Sequence, residues 1–348
     1  MKKVISLFVV LFSALTIYAE QIVSLQHEGV LSLYYGEKAY QTAYIASVDG
    51  DTIVLSPGTY SIIGCSKDIV VYGTYGLTSD AENSTVMSAG NVVFTKGKFE
   101  GIYFSGDILL GVWARTVAEN VSFRSCFIHR LSNTSINPYA GYSDVTNGFT
   151  HNNTLVDKCI IDQEDAMVED HHNYQIRNSV IHTLSYKYEN TNSKYNSCYI
   201  HNCLIYNFNS NHPLAVYYNC ILGLNSTSTD ADKTFAPTAT SEFYHCCFYR
   251  YTTDEANSVG YLTPVFENGT IEQNSMYYPS DKSVVIEEKW INTESLSLTG
   301  SDGTPLGITG GEGFNEYPAI PRILKSEFDY IVYDLGKLNG KMTVKAEK

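Results

Sequence analysis

The sequence has few basic residues, no CxxC pair and no second long apolar run. Lysine and arginine together number 23 against 37 aspartates and glutamates, so the formal net charge is -14. This charge disfavours contact with the phosphate backbone of DNA or RNA, and nucleic acid is therefore excluded as an expected partner. Without a CxxC pair the usual zinc-binding spacing is missing. Beyond the N-terminus no segment predicts a transmembrane helix.

The first nineteen residues predict a secretory signal peptide. Lys2 and Lys3 precede the apolar run 4–18, and the small Ala19 is followed by the polar Glu20. The run is too short for a comfortable membrane span. We therefore expect cleavage after Ala19 and a mature chain that is periplasmic, on the cell surface or extracellular.

A six-residue motif recurs six times between residues 123 and 249. Each copy has a β-branched or aromatic residue, two polar or aromatic positions, a Cys or Ser anchor, and two large apolar residues. The anchors are Cys126, Cys159, Ser179, Cys203, Cys220 and Cys247, at spacings of 33, 20, 24, 17 and 27 residues. A fixed motif at variable spacing predicts a solenoid of short parallel strands, in which one connecting loop per coil changes length.

The residues around the anchors predict how neighbouring coils contact. Asn178, Asn202 and Asn219 each precede an anchor. Asn tolerates left-handed turn geometry and stacked amides can hydrogen-bond from coil to coil, so an asparagine ladder is expected. The first residue after each anchor should face outward and form an apolar stripe covered by loops, the C-terminal tail or another subunit. This stripe contains Phe127, Ile160, Val180, Leu204, Ile221 and Phe248.

Residues 39–60 resemble the opening of the pectin-lyase-like right-handed parallel β-helix proteins. The apolar face of a short helix comes from Ala43, Ile45, Ala46 and Val48, and Gly50 ends that helix before the first strand. Residues 302–311 resemble the closing coil of secreted β-helix proteins of Bacteroidetes type. The resemblance covers about residues 30–320 at the level of fold, and it implies a helix that caps the N-terminal end.

Together these patterns predict an all-β chain, a single-stranded right-handed parallel β-helix over residues 20–317 with an N-terminal capping helix. Residues 318–348 form a C-terminal tail in which 327–333 and 341–346 predict two strands, as in a β-hairpin. Eight cysteines in an exported chain would first indicate disulfides. Five of them occupy the anchor position, however, and are expected to be free buried thiols, with Cys203 and Cys220 as the pair to test.

No catalytic motif of a pectin-degrading family is present. The paired aspartates and Gly-His-Gly of galacturonan hydrolases are missing, as is the basic pattern of pectate lyases. Two outward stripes are nevertheless expected. They contain Arg124, Asp157, Arg177, His201, Tyr218 and His245, and His129, Asp162, His182, Tyr206, Gly223 and Arg250. A lyase needs a base and a cation that neutralises a carboxylate. The candidate catalytic residues are Lys158, Arg177, His182 and His201, and mutual neutralisation of stacked charges is the competing explanation.

An acidic loop follows the second anchor. Its carboxylates could hold Ca²⁺, which many pectin-lyase-like enzymes use to bind acidic sugars. A solvated acidic loop is the simpler interpretation in so negative a chain. The candidate ligands are Asp162, Glu164, Asp165, Glu169 and Asp170.

The variable loops predict a binding function. Loops 130–153, 163–173, 183–196 and 223–241 leave the coil after the same strand and should project from one side. Tyrosine and asparagine suit contact with sugars or with a partner surface. The candidate binding residues are Tyr139, Tyr142, Tyr186, Tyr188, Tyr195 and Tyr206. We expect a secreted or cell-surface protein, non-catalytic, that binds a glycan or a partner surface. The alternative is a divergent lyase acting on uronic-acid polysaccharides.

Overall fold

The computed structural model describes residues 21–77, 79, 83–88, 90–110, 118–133, 151–165, 171–184, 198–208, 215–225, 242–251, 270–271, 276–277, 299–314, 322–330 and 339–345. Within these residues the only α-helix is α1 (Ala39–Ala46). No helix in this part of the chain is both long and apolar enough to cross a membrane. Nearly all other regular structure is β.

The strands are short and are numbered here in chain order. They are β1 (Ile22–His27), β2 (Val30–Tyr35), β3 (Thr52–Leu55), β4 (Gly58–Ser61), β5 (Val70–Tyr72), β6 (Thr85–Ser88), β7 (Val92–Phe94), β8 (Lys98–Glu100), β9 (Tyr103–Leu110), β10 (Ala118–Glu119), β11 (Ser122–Arg124), β12 (Phe127–Asn133), β13 (His151–Asn152), β14 (Leu155–Asp157), β15 (Ile160–Asp165), β16 (His171–His172), β17 (Tyr174–Arg177), β18 (Val180–Leu184), β19 (Cys198–His201), β20 (Leu204–Phe208), β21 (Val216–Tyr218), β22 (Ile221–Asn225), β23 (Glu242–Tyr244), β24 (Cys247–Tyr251), β25 (Thr270–Ile271), β26 (Met276–Tyr277), β27 (Arg322–Tyr330) and β28 (Asn339–Lys345).

Across the described ranges these strands form four sheets. Sheet 1 has the order β2-β1-β3-β5-β8-β11-β14-β17-β19-β21-β23-β25, and sheet 2 runs β26-β24-β22-β20-β18-β15-β12-β9-β6-β4 with β7 beside β9. Sheet 3 is β10-β13-β16, and sheet 4 pairs β27 with β28. From β3 to β26 every neighbour is parallel, and the chain alternates between sheets 1 and 2. Parallel sheets of many strands with few helices agree with the all-β solenoid that the repeat predicts.

The repeated motif spans a bend between sheets 1 and 2. The residue before each anchor has a left-handed backbone, with φ between 45° and 56°. These residues, named here the turn row, are Ser125, Lys158, Asn178, Asn202, Asn219 and His245. The left-handed residue turns the chain, so the anchor that follows it points into the core.

The sixth copy of the motif is shifted by one residue from the sequence prediction. Its buried anchor is Cys246 rather than Cys247, because His245 adopts the left-handed conformation with φ 51°. Tyr244 therefore pairs with Tyr218, and His245 does not belong to the outward stripe. On sheet 2, Tyr249 rather than Arg250 pairs with Gly223. Cys247 in turn replaces Phe248 beside Ile221 in the apolar stripe.

The anchors make the same hydrogen bond in every coil. Each anchor thiol donates to the carbonyl oxygen two residues earlier, as Cys126 does to Arg124 at 3.2 Å and Cys203 to His201 at 3.1 Å. The Ser179 hydroxyl makes the equivalent bond at 2.7 Å, which explains why serine can occupy this position. Seven of the eight cysteines have described side chains, and all seven are free and buried. The prediction of free buried thiols is confirmed for the anchors Cys126, Cys159, Cys203 and Cys220, and Cys203 and Cys220 do not form a disulfide. The side chain of the fifth predicted anchor, Cys247, lies outside the described part of the chain.

These thiols are expected to resist alkylation in the folded protein. Burial raises the pKa of Cys159, Cys220 and Cys246 well above the ordinary thiol value, so little reactive thiolate is present. Iodoacetamide at mildly alkaline pH should leave the seven buried cysteines unmodified, and all should react after unfolding in urea. Peptide mass spectrometry measures this difference. Rapid alkylation of Cys203 or Cys220 in the native protein would contradict the burial of the anchors.

Helix α1 buries a different face from the one predicted. Its buried residues are Ala39, Tyr40, Ala43 and Tyr44, whereas Ile45, Ala46 and Val48 are exposed. The two tyrosine rings decide the orientation, since together they bury more apolar area than the aliphatic side chains would. Lys67 stands where a C-terminal cation is favourable, because its Nζ donates to the carbonyl oxygens of Tyr44 and Ser47 at 2.6 Å.

Residues 299–314, named here the strap, lie across the turn row instead of forming a closing coil. Ser301 donates to Asn219 Oδ1 from its backbone N at 2.9 Å and from its hydroxyl at 3.1 Å. Further along, Asn178 Nδ2 donates to the carbonyl oxygen of Gly310 at 2.6 Å. The strap therefore crosses the coils of Asn219, Asn202 and Asn178, whereas a closing coil would have paired with the last strands of sheets 1 and 2.

The strap covers part of the outward apolar stripe. Val180, Leu204 and Ile221 are buried, as are Leu306 and Ile308 of the strap. Gly307 lies against the Ile221 side chain. The prediction left loops, the C-terminal tail and another subunit open as the cover; at Ile221 the covering segment is the strap, which lies outside the predicted tail 318–348. Of the other stripe residues, Phe127 and Ile160 are half-buried, and Phe127 stacks on Tyr103 with ring centroids 4.3 Å apart.

Asparagine amides form a ladder, but not in the predicted row. Within the described residues, the amides of Asn178 and Asn219 bond the strap and not each other. The ladder lies at the bend before sheet 1, where Asn153 Nδ2 donates to Asn120 Oδ1 at 3.2 Å and Asn173 Nδ2 to Asn153 Oδ1 at 3.0 Å. All three of these residues also have positive φ. Asn thus adopts the left-handed conformation at both kinds of bend, and at the bend before sheet 1 its amides bond along the stack.

Candidate binding surface on sheet 1

The outward face of sheet 1 presents two parallel rows of side chains between the asparagine ladder and the turn row. Side chains alternate between the two faces of a strand, so positions two residues apart share a face. The first row contains Lys98, Ser122, Leu155, Gln175, Tyr199 and Val216. The second row contains Tyr72, Glu100, Arg124, Asp157, Arg177, His201, Tyr218 and Tyr244.

The first half of the second row is charged, and its positive and negative side chains are paired with one another. The Asp157 side chain is only 1% exposed and lies between two guanidinium groups. Arg124 Nε donates to Asp157 Oδ2 at 3.0 Å, and Arg177 Nη2 donates to the same oxygen at 3.3 Å. Arg177 Nε also lies 3.1 Å from Oδ1. The candidate cation Arg177 is therefore already paired, as the stacked-charge explanation expects.

The second half of the row is uncharged and aromatic. His201 stacks on Tyr218 with centroids 4.9 Å apart, and Tyr218 stacks on Tyr244 at 4.7 Å with 12° between the ring planes. Tyr199, in the adjacent row, is tilted by 49° against His201. Both faces of the Tyr218 ring are thus covered by neighbouring rings. This section, named here the ring section, therefore meets solvent with ring edges and polar groups rather than with open ring faces.

His201 is neutral under ordinary conditions. Burial lowers the pKa of its imidazole, and the positive charge of Arg177 lowers it further. A neutral imidazole has one nitrogen that donates and one that accepts a hydrogen bond. The ring section therefore offers hydrogen-bonding groups of both kinds without net charge.

A second polar cluster lies on the outward side of sheet 2. Asp162 accepts hydrogen bonds from His182 Nδ1 at 2.7 Å and from His129 Nδ1 at 3.2 Å. Burial by itself would raise the pKa of Asp162, but the two histidines outweigh burial and hold it below the ordinary value. Tyr206 follows in the stack, with its ring 5.5 Å from that of His182, and is buried. Asp162 thus serves to join three coils.

Asp162 is expected to make the protein sensitive to acid. Its pKa is lowered on folding, so its stabilising effect is present above the unfolded value near 3.8 and is lost as pH falls through the lower folded value. An Asp162→Asn variant should therefore be less stable than wild type at neutral pH, with a gap that narrows below about pH 4. Thermal unfolding from pH 2 to pH 7 measures this gap. A constant gap over that range would contradict the assignment.

The predicted calcium ligands do not gather in the described part of the chain. Asp162 is held by two histidines, while Glu164 is fully buried and accepts a hydrogen bond from the Tyr174 hydroxyl at 3.2 Å. The Asp165 side chain, Glu169 and Asp170 lie outside the described residues. Where the side chains are described, no group of three or more His, Cys, Asp or Glu residues is arranged to hold a metal ion. Calcium at this loop stays a prediction.

The four catalytic candidates are divided between two sheets and a bend. Arg177 and His201 are neighbours on sheet 1, His182 lies on sheet 2, and Lys158 occupies the turn row with φ 56°. Only Arg177 and His201 share an outward face.

Most of the candidate loop tyrosines lie outside the described residues. These are Tyr139, Tyr142, Tyr186, Tyr188 and Tyr195. The strands that precede the predicted loops, β12, β15, β18 and β22, all belong to sheet 2, as the prediction of a common side requires. Each of these strands extends one to three residues beyond the predicted start of its loop.

Sequence analysis missed Tyr199 and Tyr244, and it missed the exposed asparagine ladder. A signal for the ladder was present, because Asn120, Asn153 and Asn173 each stand three residues before an inward residue of sheet 1. Tyr244 was missed because of the one-residue shift at Cys246. Tyr199 lies two residues before His201, in the first outward row, which the anchor spacing did not single out.

No protein-family model, no curated protein and no solved structure matches this chain. Its function therefore has to be argued from the geometry of its own surface.

Proposed function

We propose that this protein is a non-catalytic, exported solenoid that binds a glycan along the outward face of sheet 1. The observation that carries the proposal is the change along one row of that face. Charged residues neutralise one another as far as Arg177, and the uncharged ring section of His201, Tyr218, Tyr244 and Tyr199 follows. An uncharged surface rich in hydrogen-bonding groups matches a polyhydroxylated ligand better than a charged one.

The arrangement of the rings supports recognition by hydrogen bonds along an extended chain. Stacked coils repeat about every 4.8 Å, so equivalent groups recur at a spacing that a polymer of sugar rings can follow. Because Tyr218 lies between two rings, its hydroxyl and ring edge make the contact and its faces do not. Gln175 lies two residues from Arg177 on the same face and extends the polar surface towards the asparagine ladder, where it donates to Asn173 Oδ1 at 2.5 Å.

The finer features of the fold belong to the same proposal. The coils are right-handed, as in the pectin-lyase-like proteins that the N-terminal residues resemble and as nearly all parallel crossover connections are. Helix α1 and the β1–β2 hairpin close the N-terminal end, since both pack beside β3, the first parallel strand of sheet 1. The signal peptide takes the chain to the periplasm, the cell surface or the medium.

Tyr218→Phe is expected to weaken glycan binding while leaving the fold intact. The ring stack is retained, and one hydroxyl is lost, which typically reduces affinity by about 3- to 10-fold. An immobilised panel of neutral and acidic polysaccharides first identifies the ligand, and titration calorimetry then compares the variants. Tyr72→Phe is the matched control, because Tyr72 lies in the same row beyond the charged half. The proposal would be contradicted if both variants lost the same affinity, or if wild type retained none of the polysaccharides.

A divergent lyase acting on uronic-acid polysaccharide is the second candidate. The observation in its favour is the neutral His201 beside Arg177, since elimination needs a base close to a cation that neutralises a carboxylate. Release of unsaturated product, followed by ultraviolet absorbance with and without Ca²⁺, tests this candidate. Turnover that is abolished in His201→Ala would establish the lyase and overturn the non-catalytic proposal. Retention of polysaccharide without product would exclude the lyase.

A further inference from the structure

In the described part of the chain, strand β2 is the open edge at the N-terminal end of sheet 1. Among the described residues it pairs only with β1, through an antiparallel hairpin whose turn residues Glu28 and Gly29 have φ of 48° and 82°. Four of its large side chains are far more exposed than is usual for apolar residues. Val30 is 65% exposed, Leu31 63%, Leu33 49% and Tyr35 55%.

The hydrogen-bonding groups at this edge follow from the register of the hairpin. Gly36 N donates to Gln21 O at 2.9 Å, which identifies this pair as a hydrogen-bonded one. Hydrogen-bonded pairs recur at every second residue of an antiparallel ladder. The backbone groups of Val30, Ser32 and Tyr34 therefore point towards β1. Those of Leu31, Leu33 and Tyr35 point towards the open edge.

The same three residues share one face of the sheet. They lie opposite Gln26, Ser24 and Ile22, which alternate along β1 with the buried Val23 and Leu25. Their side chains therefore project from the outward face of sheet 1. Leu31, Leu33 and Tyr35 thus combine two properties. Their backbone groups can hydrogen-bond to a further strand, and their exposed side chains can make apolar contacts with it.

As far as the structure describes the chain, this edge carries none of the features that usually prevent strand pairing. Natural edge strands are protected by charged residues, by proline, by bulges or by a covering element. Between Gly29 and Gly36 there is no charged residue and no proline, and the register of β1 with β2 is free of bulges. An overall charge of -14 would favour a basic partner, yet this strand offers no charge to attract one. An uncharged strand is best matched by another uncharged strand.

We propose that two copies of this chain associate by antiparallel pairing of their β2 strands. The pairing is symmetric about Leu33, so that Leu33 faces its equivalent and Leu31 faces Tyr35 of the second copy. This register is the one that engages the open backbone groups of all three residues, and it places apolar side chains opposite one another on the same face. It also directs the Glu28 end of each strand towards the Lys38 end of the other. The two sheets then form one continuous sheet, with a ring section at each end.

Sedimentation equilibrium of the purified full chain over a range of micromolar concentrations tests the association. Wild type is expected to be a dimer. Leu33→Lys places two like charges opposite each other across the two-fold axis and should weaken dimerisation by at least about 100-fold. Gln26→Lys is the matched control, because it adds the same charge on the same face of β1, away from the edge, and should remain dimeric. A monomeric wild type, or equal weakening by both variants, would overturn the proposal.

Cysteine cross-linking tests the register independently of affinity. In the proposed pairing the two copies of residue 33 are adjacent, whereas the two copies of residue 31 are separated by four residues, roughly 13 Å along the strand. Leu33→Cys should therefore be joined by a short thiol-reactive cross-linker, and Leu31→Cys, which is at least as exposed, should not. Unmodified wild type corrects for reaction of native cysteines. Equal cross-linking of the two variants would contradict the register.

Discussion

Replacement of Phe123 by alanine is expected to lower the free energy of unfolding by about 4 kcal/mol, the usual cost of truncating a buried phenylalanine. Phe123 is fully buried in β11. Its ring is stacked with Phe99 of the preceding coil at 5.7 Å and meets Phe104 edge-on at 5.8 Å. In a solenoid each coil contacts only its neighbours, so the stability of one level depends on the core residues of adjacent coils. A cavity at one level therefore weakens the contact between two coils directly.

Phe127→Ala is the matched control for this prediction. Phe127 is only four residues after Phe123 and one residue after the anchor, but it is half-buried on the outward stripe. Its truncation should cost less than about 2 kcal/mol. Urea unfolding followed by circular dichroism gives both values. If the two substitutions cost the same, the assignment of inward and outward positions around Cys126 is wrong.

Gly310→Ala is expected to release the strap and to cost about 3 kcal/mol. A Cβ atom at residue 310 would lie 1.9 Å from the carbonyl oxygen of Pro305 and 2.6 Å from Asn202 Nδ2. Neither neighbour can withdraw easily, because the first is backbone and the second is buried. Once released, the strap would expose Ile308 and the stripe beneath it to water.

Two measurements test the role of Gly310. Urea unfolding gives the cost, and limited proteolysis shows whether residues 299–314 become accessible. Gly90→Ala is the control, since a Cβ there meets no atom within 4 Å, and it should change stability by less than about 0.5 kcal/mol. A Gly310→Ala protein as stable and as resistant to protease as Gly90→Ala would show that the strap does not hold the coils together.

The solenoid could be predicted from the sequence because one motif fixes three properties of every coil. A residue that tolerates left-handed geometry bends the chain, a small anchor fills the corner, and the next two residues face opposite sides of sheet 2. Cys126, Cys203 and Cys220 show this regularity in the structure, each with the same thiol to carbonyl bond. Since the pattern is local and repeated, a single sequence is enough to reveal it.

The features that were wrong or missed depend on competition between neighbours. Two adjacent cysteines offered two registers, and only the left-handed conformation of His245 decides that Cys246 is the anchor. The face of α1 depends on which side chains the rest of the N-terminal end can cover. The strap brings together residues that are 82 to 132 positions apart, as Ser301 with Asn219 and Gly310 with Asn178. No local pattern encodes such contacts.

One of the two outward rows of the candidate surface could be predicted from the sequence. Anchor spacing alone placed Arg124, Asp157, Arg177, His201 and Tyr218 in one outward row, and the structure has them in register. Spacing could not show that Asp157 is shared by two arginines, nor that the ring faces are covered by stacking. Those facts depend on side-chain conformations, and they favour an uncharged glycan over the uronic-acid polysaccharide of the alternative prediction.

Binding of a glycan by the outward face of sheet 1 is tested most directly by comparing variants of that face with variants of a side loop. The dissociation constant for the best polysaccharide should be measured for Tyr218→Phe/Tyr244→Phe and for Tyr186→Phe/Tyr188→Phe, which removes the same number of hydroxyls from a loop. If the outward face of sheet 1 binds the glycan, the first pair weakens binding by about 10- to 100-fold and the second changes it by less than about 2-fold. The reverse order would place the binding site in the loops and contradict the account.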